Sequence, residues 1–494
     1  MIRKVSLGDG LHIKDYAALA FLSPAVRELQ AAARRLVAGL KGRTVWMVNS
    51  TAQGGGVAEM LPRLVSLLRD LGVRTEWLVF NPGEPAFFAL TKRIHNLIHG
   101  SGRPRFDGRE RELYREVSLR AAMELERLVA PEDILVVHDP QPLAVGAEVK
   151  RRRGLRAIWR CHIGLDRTTP ATEAAWKFLH PWARLYDHAV FSAAEYIPAV
   201  LAGKSSVLHP AIDPLSHKNR ELSAHKLVGI LCNAGLMTGA HPVLTPDWDH
   251  PAQRLAPDGR FVPACLGEGV GLMFRPIVTQ ISRWDRLKGW LPLLEGFVRL
   301  KERYRAHPGP RTRRRRRIEI VRLVLAGPDP AAIEDDPEGV QVLAALRRAY
   351  RRLKPEDQRD VVLLSLPMVS VKQNHLMVNV IQRCSTVVVQ NSLEEGFGLT
   401  ATEAMWKHVP VLGTSACGLR LQIRDGIEGR ITTDPEDPEE IAAHLDRMLG
   451  DPVQRNIQGQ NAQRRVYEKF LVFKQAESWL SLLAETAARP PLAC

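Results

Sequence analysis

The chain has 494 residues, 45% of them hydrophobic and 25% charged, a globular composition spread over a length that favours two or three domains rather than one core. Its formal net charge of +15 suits an anionic substrate, a nucleic acid or an acidic membrane surface, without choosing among them. No apolar run reaches the roughly 20 residues that span a bilayer, and Met1-Ile-Arg-Lys4 lacks the apolar core of a signal peptide, so a soluble protein is expected.

Residues 24–40 carry an amphipathic helical pattern and no identifiable chemistry. From Arg43 onward, short β-branched runs alternate with polar turns and helical patterns, the rhythm of βαβ units on a parallel sheet. One set of strands is expected at 44–48, 77–80, 134–137, 157–159 and 189–191, and a second at 277–281, 321–325, 361–364, 386–389 and 409–412. The fold class is therefore α/β with two Rossmann-like domains: 1–212, completed by a C-terminal helix within 470–494, and 213–469.

The stretch 237–270 is rich in proline, histidine and glycine and reads as an inserted loop. Its Asp247-Trp-Asp249 follows no strand, so a solvated loop is favoured over a divalent-cation site. The arginine run 311–317 reads as a solvated loop before a strand over 318–326; it has neither the aromatic platforms nor the recognition helix of a nucleic-acid binder. The six cysteines show no paired spacing, which points to a reducing cytosol and away from zinc or disulfides.

In an open parallel sheet, ligands bind beyond the carboxyl ends of the strands. Four clusters fall at such positions. After the first strand, Gly54, Gly55 and Gly56 precede a helix starting near Val57, where bare backbone amides can approach a phosphate; a tight βα turn explains the glycines equally well. His138-Asp-Pro-Gln141 follows a strand of the same set. Ser282-Arg-Trp-Asp-Arg-Leu-Lys288 places Arg283 and Lys288 in one strand-to-helix connection, able to flank a diphosphate without a metal. Finally Glu395-Gly-Phe-Gly-Leu-Thr-Ala-Thr-Glu403 offers two acids around a glycine turn, with Glu403 in the first turn of a helix 401–407, where it can accept hydrogen bonds from a ribose diol.

With Glu395 and Glu403 seven residues apart, and with Arg283 and Lys288, the chain resembles the GT-B retaining glycosyltransferases of the family that includes glycogen synthases and sucrose-phosphate synthases. Within it, Asn49-Ser-Thr-Ala52, Gly54-Gly-Gly-Val-Ala-Glu59, Trp159-Arg-Cys-His-Ile163, Lys218-Asn219, Asp335-Asp-Pro-Glu-Gly339 and Trp406-Lys407 are most similar to the trehalose synthases. The sequence departs from that pattern at Gly164, Trp284, Asn391 and Cys417-Gly418, and by the insertion.

The resemblance implies a GT-B fold, two Rossmann-like domains facing each other across a cleft, and transfer of a hexosyl group from a nucleotide diphosphate-sugar with retention. It implies catalytic roles for Glu395, Arg283, Lys288 and His138, donor binding by Gly55, Gly56, Gly398, Leu399, Thr400 and Glu403, and acceptor binding by Asp139, Gln141 and His162. No cofactor and no metal are expected. The acceptor is a small sugar, with glucose, giving trehalose, as the leading choice; a homodimer in the cytoplasm is the expected setting. The alternatives are a phosphorylase using inorganic phosphate, a glucosyltransferase with another hydroxyl acceptor, a paired-carboxylate hydrolase, and a non-catalytic basic binding protein.

Overall fold

A computed structural model describes every residue except 9, 53–55, 240–246, 268, 308, 331–336 and 491–494. The chain divides into two compact units, Met1–Asp213 with Phe470–Cys494, and Pro214–Lys469.

Among the described residues the N-terminal unit is built on seven strands: β1 (Ile2–Lys4), β2 (Val45–Asn49), β3 (Thr75–Phe80), β4 (Ile134–His138), β5 (Arg156–Arg160), β6 (His188–Phe191) and β7 (Ser205–Val207). Their order is β1-β3-β2-β4-β5-β6-β7, parallel except for β1, which runs against β3. Every residue of β4 is buried, as expected where helices cover both faces of a parallel sheet. One of those helices, Val472–Ala488, comes from the far end of the chain. It packs on the amphipathic helix Ser23–Leu36, and Phe473 meets Tyr16 edge to face at 5.2 Å.

Among the described residues the C-terminal unit carries eight strands: β8 (Gln253–Leu255), β9 (Phe261–Pro263), β10 (Ile277–Ile281), β11 (Arg322–Pro328), β12 (Val361–Leu366), β13 (Val387–Val389), β14 (Val411–Thr414) and β15 (Gly429–Thr432). Their order is β15-β14-β13-β10-β11-β12-β8-β9. The six strands from β10 on are parallel; β8 and β9 form an antiparallel hairpin on the edge of β12.

That hairpin corrects the expectation that 237–270 is a loop throughout. Asp258 and Gly259 make its turn, with Gly259 at φ +88° and the Asp258 carboxylate accepting from the Arg260 amide at 2.9 Å. The unpaired edge of β12 supplies the template, and Leu255 enters the core beneath. Asp247 and Asp249 are exposed while Trp248 between them packs on apolar residues. The strand of 318–326 is corrected too. Residues Arg313–Ile320 form a helix, capped by Thr312 on the Arg315 amide at 3.1 Å, and the strand begins only at Arg322. Arginine is a good helix former, and Arg315 pairs with Glu319 one turn on at 2.8 Å.

Both sheets reverse their strand order once. β2 connects outward to β3 and the chain then returns to place β4 on the other flank of β2; β10, β11 and β12 run one way before β13 returns beside β10. These switch points open a crevice at the carboxyl ends of β2/β4 and of β10/β13.

Candidate active site at the strand ends

In the N-terminal unit, β4 and β5 pair in register so that His138 lies opposite Arg160 at their carboxyl ends. His138 is 2% exposed. Its Nδ1 stands 3.0 Å from Nε2 of His162 and its Nε2 3.5 Å from the Met47 sulfur, and the two imidazoles stack 5.3 Å apart at 14°. A thioether only accepts, so the tautomer satisfying both contacts carries its proton on Nε2. Nδ1 of His138 then accepts from His162, whose own Nδ1 is left as an acceptor, an assignment made from the partners. Burial, with the charge of Arg160 second, lowers the pKa of His138 to about 3, and burial likewise holds His162 well below its usual value. Both rings are neutral at neutral pH.

Asp139 follows with a left-handed backbone, φ +65°, which aspartate tolerates better than most side chains. Its carboxylate accepts from the His162 amide at 2.8 Å and its carbonyl from Trp159 Nε1 at 3.1 Å. Burial raises its carboxyl to about 6, against the opposing pull of that amide and of Arg160. Arg160 is 1% exposed and donates through Nη2 to Ser192 Oγ at 3.2 Å. Its Nη1 has no hydrogen-bond partner among the described residues, and neither has the shielded Oε1 of Gln141. A donor and an acceptor at the same strand ends are thus shielded from water without partners, a costly condition that a polar ligand relieves.

Gly164 departs from the family pattern for a visible reason. A Cβ there would fall 2.2 Å from the Tyr196 ring, which fills the space of a side chain. Gly56 opens the helix Gly56–Asp70, one residue before the expected start; Gly55 lies outside the described residues.

In the C-terminal unit the loops after β10 and β13 meet. Lys288, on a 3-10 turn Arg286–Lys288, donates to Glu395 Oε2 at 2.6 Å, and the same oxygen accepts from Ser392 Oγ at 2.9 Å and Gln390 Nε2 at 3.2 Å. Burial pushes the Glu395 carboxyl up, but the charge and hydrogen bond of Lys288, helped by Ser392 and Gln390, outweigh it and leave the carboxyl below its ordinary value. Arg283 is the open cation of the group: its side chain is 63% exposed, with Asp285 4.0 Å away. Asn391 ties the loops together, donating to the carbonyls of Gly289 at 3.0 Å and Pro435 at 2.9 Å.

Gly289 sits at φ +56°, and a Cβ on it would come 2.2 Å from the Asn391 carbonyl oxygen. Gly289→Ala is therefore expected to cost about 2–3 kcal/mol, since both the backbone region and the close approach exclude a side chain. Urea unfolding measures this; an unchanged midpoint would show that the two loops separate at no cost.

Gly398, at φ +85°, starts the helix Leu399–Trp406 without a side-chain cap, so among the described residues the first-turn amides of Leu399 and Thr400, in the connection after β13, have no capping side chain. This early start corrects the expected position of Glu403, which is the fifth helical residue and lies past the first turn. Glu403 is 7% exposed, 4.0 Å from Lys218, and its carbonyl accepts from Lys407 Nζ at 2.9 Å. Lys407 also donates to Asn219 and Gln382, and burial, offset in part by the Glu403 charge, lowers its pKa to about 7.

Sequence reasoning named the poles of this arrangement but gave no role to its supports: Arg160, Lys218 and Lys407, which stood only as motif residues, and Ser192, Gln390 and Ser392. Lys407 was signalled by its spacing of four from Glu403, and Arg160 by a charge inside an apolar strand. Among the described residues no group of three or more His, Cys, Asp or Glu is placed to hold a metal, and no helix is long and apolar enough to cross a membrane.

Comparison with known proteins bears on this geometry directly. Trehalose synthase of Thermococcus litoralis is 33% identical over 96% of the chain and 97% of the relative. The chain belongs to the trehalose synthase family. The model of the trehalose synthase N-terminal domain matches residues 47–198, and that of the group 1 glycosyl transferases matches 365–465. A trehalose phosphorylase of Pleurotus pulmonarius is 25% identical over 88% of the chain but only 56% of that relative. Among solved structures, a UDP-forming α,α-trehalose-phosphate synthase of Burkholderia xenovorans, in complex with glucose-6-phosphate, superposes with a TM-score of 0.63 over 90% of the chain and 100% of its own length, at 15% identity. That likeness shows the GT-B fold. As a member of the trehalose synthase family, the chain is a glycosyltransferase.

Proposed function

We propose that the chain moves a glucosyl group from a nucleotide diphosphate-glucose to glucose with retention of configuration, forming trehalose. The observation that carries this reading is the cluster at the β10/β13 switch point, where Lys288, Arg283 and the uncapped amides of Leu399 and Thr400 gather at one pair of strand ends. The names of the full-length relatives agree with it. Two guanidinium or ammonium groups and a helix start supply what a departing diphosphate needs, without a metal. Glu395 takes one of the three N–H donors of Lys288 and so fixes the ammonium, leaving the others for phosphate oxygens. Glu403 accepts from the ribose diol. The departing phosphate takes the acceptor proton on the face from which it leaves, and the protein's part is positioning and charge stabilisation.

In the N-terminal unit we assign the acceptor to His162, Asp139 and Gln141, with Nδ1 of His162 and Oε1 of Gln141 accepting from sugar hydroxyls. His138 holds His162 in its tautomer; it is a positioning residue in this scheme.

Two measurements test the reading. Nucleotide diphosphate-sugars offered with glucose should give a disaccharide with both anomeric carbons in the α configuration by NMR. An inverted product, or turnover that needs inorganic phosphate and no nucleotide, refutes the scheme and in the second case favours a phosphorylase. Glu403→Gln should raise KM for the donor about tenfold, the value of one charged hydrogen bond, with little change in kcat. An unchanged donor KM removes Glu403 from the ribose.

A further inference from the structure

We propose that the C-terminal unit holds a second anion site, distinct from the donor residues, for a compact phosphate-bearing metabolite such as pyrophosphate or a hexose phosphate. It is a cavity of about 440 Å³ lined by Arg314, Arg430, Arg447 and Arg455, with Asp451 and Gln454 beside them. Four guanidinium groups share the lining with the Asp451 carboxylate, which is engaged: it accepts from the Val453 and Gln454 amides at 3.0 and 2.9 Å, capping the helix Pro452–Lys469. Behind the lining, Asp446 pairs with Arg314 at 2.7 Å.

The cations are built in rather than loose. Arg455 is anchored on the carbonyls of Met448 and Leu449 at 2.8 and 3.3 Å, and Arg317 docks on the same Leu449 carbonyl at 2.8 Å. Arg314 lies across Gly450, where a Cβ would come 2.9 Å from its Nε. It comes from the helix Arg313–Ile320, so the arginine run left unexplained by the transfer chemistry delivers one guanidinium to the cavity and a second behind it. Among the described residues the Arg430 side chain pairs with Asp425, 3.4 Å away, and the Arg447 side chain makes no hydrogen bond or ion pair. Burial, and then the charge of Arg317, pull Arg455 below its usual pKa against the opposing charge of Asp451. Planar guanidinium forks of this kind match the oxygens of a phosphate.

The position separates this cavity from the donor residues. The helix Pro438–Gly450 starts beside Pro435, whose carbonyl Asn391 binds, and ends at Gly450 in the cavity wall. Its length of ~20 Å, at about 1.5 Å per residue, puts the cavity at the amino ends of the strands, opposite the donor cluster.

Calorimetric titration with inorganic pyrophosphate tests the site in three forms of the full chain: parent, K288A and R430A/R447A. The expected result is that K288A keeps a pyrophosphate site, while R430A/R447A loses one, with affinity falling at least about tenfold. R447E, at a position whose side chain bonds nothing, should show the same loss with an unchanged melting temperature, which separates binding from folding. Binding by R430A/R447A and R447E equal to the parent overturns the proposal, as does loss of all pyrophosphate binding in K288A. Labelled duplex DNA that binds through Arg447 would also overturn it, by making a macromolecule the occupant. None of these outcomes depends on whether the transfer reaction is the one proposed above.

Discussion

Lys288→Ala should lower kcat/KM by about 10²–10³, the usual cost of removing one charged group that stabilises a leaving anion. The same substitution should also weaken the fold. Glu395 would keep Ser392 and Gln390 but lose its cation, and a buried carboxylate without a counter-charge costs about 1–3 kcal/mol. The double variant K288A/E395Q separates the two effects: neutralising the carboxyl should recover most of the urea midpoint while turnover stays low. Turnover of K288A within twofold of the parent would remove Lys288 from the diphosphate. A double variant as unstable as K288A would show that Glu395 is not held by charge.

The N-terminal unit should lose stability on acidification with an unusual balance of terms. His138 titrates at about 3 in the fold and His162 well below its usual value, against about 6.5 for an unfolded histidine. As pH falls through 6.5, the unfolded chain takes up two protons that the folded rings refuse, which favours unfolding. Asp139 works the other way. Its folded value of about 6 exceeds the unfolded one near 3.9, so below pH 6 the fold binds a proton that the unfolded chain does not. The net is roughly one proton from about pH 6.5 down to about 4, or roughly 1.4 kcal/mol per pH unit from this cluster. Asp139→Asn removes the opposing term, and asparagine accepts the left-handed backbone and the His162 amide alike. Urea midpoints between pH 7 and 4.5 should therefore fall more steeply for D139N than for the parent. Parallel lines would mean that the Asp139 carboxyl is ionised throughout.

The parts of the fold legible in the sequence were those with a strong local signal. Ile134-Leu-Val-Val137 is a continuous apolar run, and Ile277-Val-Thr-Gln-Ile281 a β-branched one interrupted only by Gln280, because both faces of their sheets are covered, and such runs are hard to mistake. The hairpin β8–β9 was illegible for the opposite reason. Each strand has three residues, and they pair only because β12 offers an edge over a hundred positions along the chain. The arginine run misled because arginine signals solvent exposure as readily as helix, and the Thr312 cap decides between them.

In the candidate site, position after a strand was enough to pick out His138, Arg283 and Glu395. It could not show that Lys288 and Glu395 share a proton contact across 107 residues, since that requires knowing that β10 lies beside β13. In the sequence Arg160 stood only as a motif residue because a single charge in Trp159-Arg-Cys161 reads as a blemish in a strand, whereas register sets it opposite His138.

The return of the chain to its first unit also bears on how the molecule forms. Ile212 donates to the Phe470 carbonyl at 2.9 Å and accepts from the Val472 amide at 3.1 Å, closing the base of the helix Val472–Ala488, whose Trp479, Leu480 and Leu483 complete the N-terminal core. Those bonds clamp the two ends of a segment that is itself the whole C-terminal unit. Closing so long a loop from an extended chain is entropically expensive, and the expense falls once the intervening segment has condensed. The unit encoded in the middle is thus the one that can consolidate without help, and the unit that begins the polypeptide is the one that must wait for its last helix.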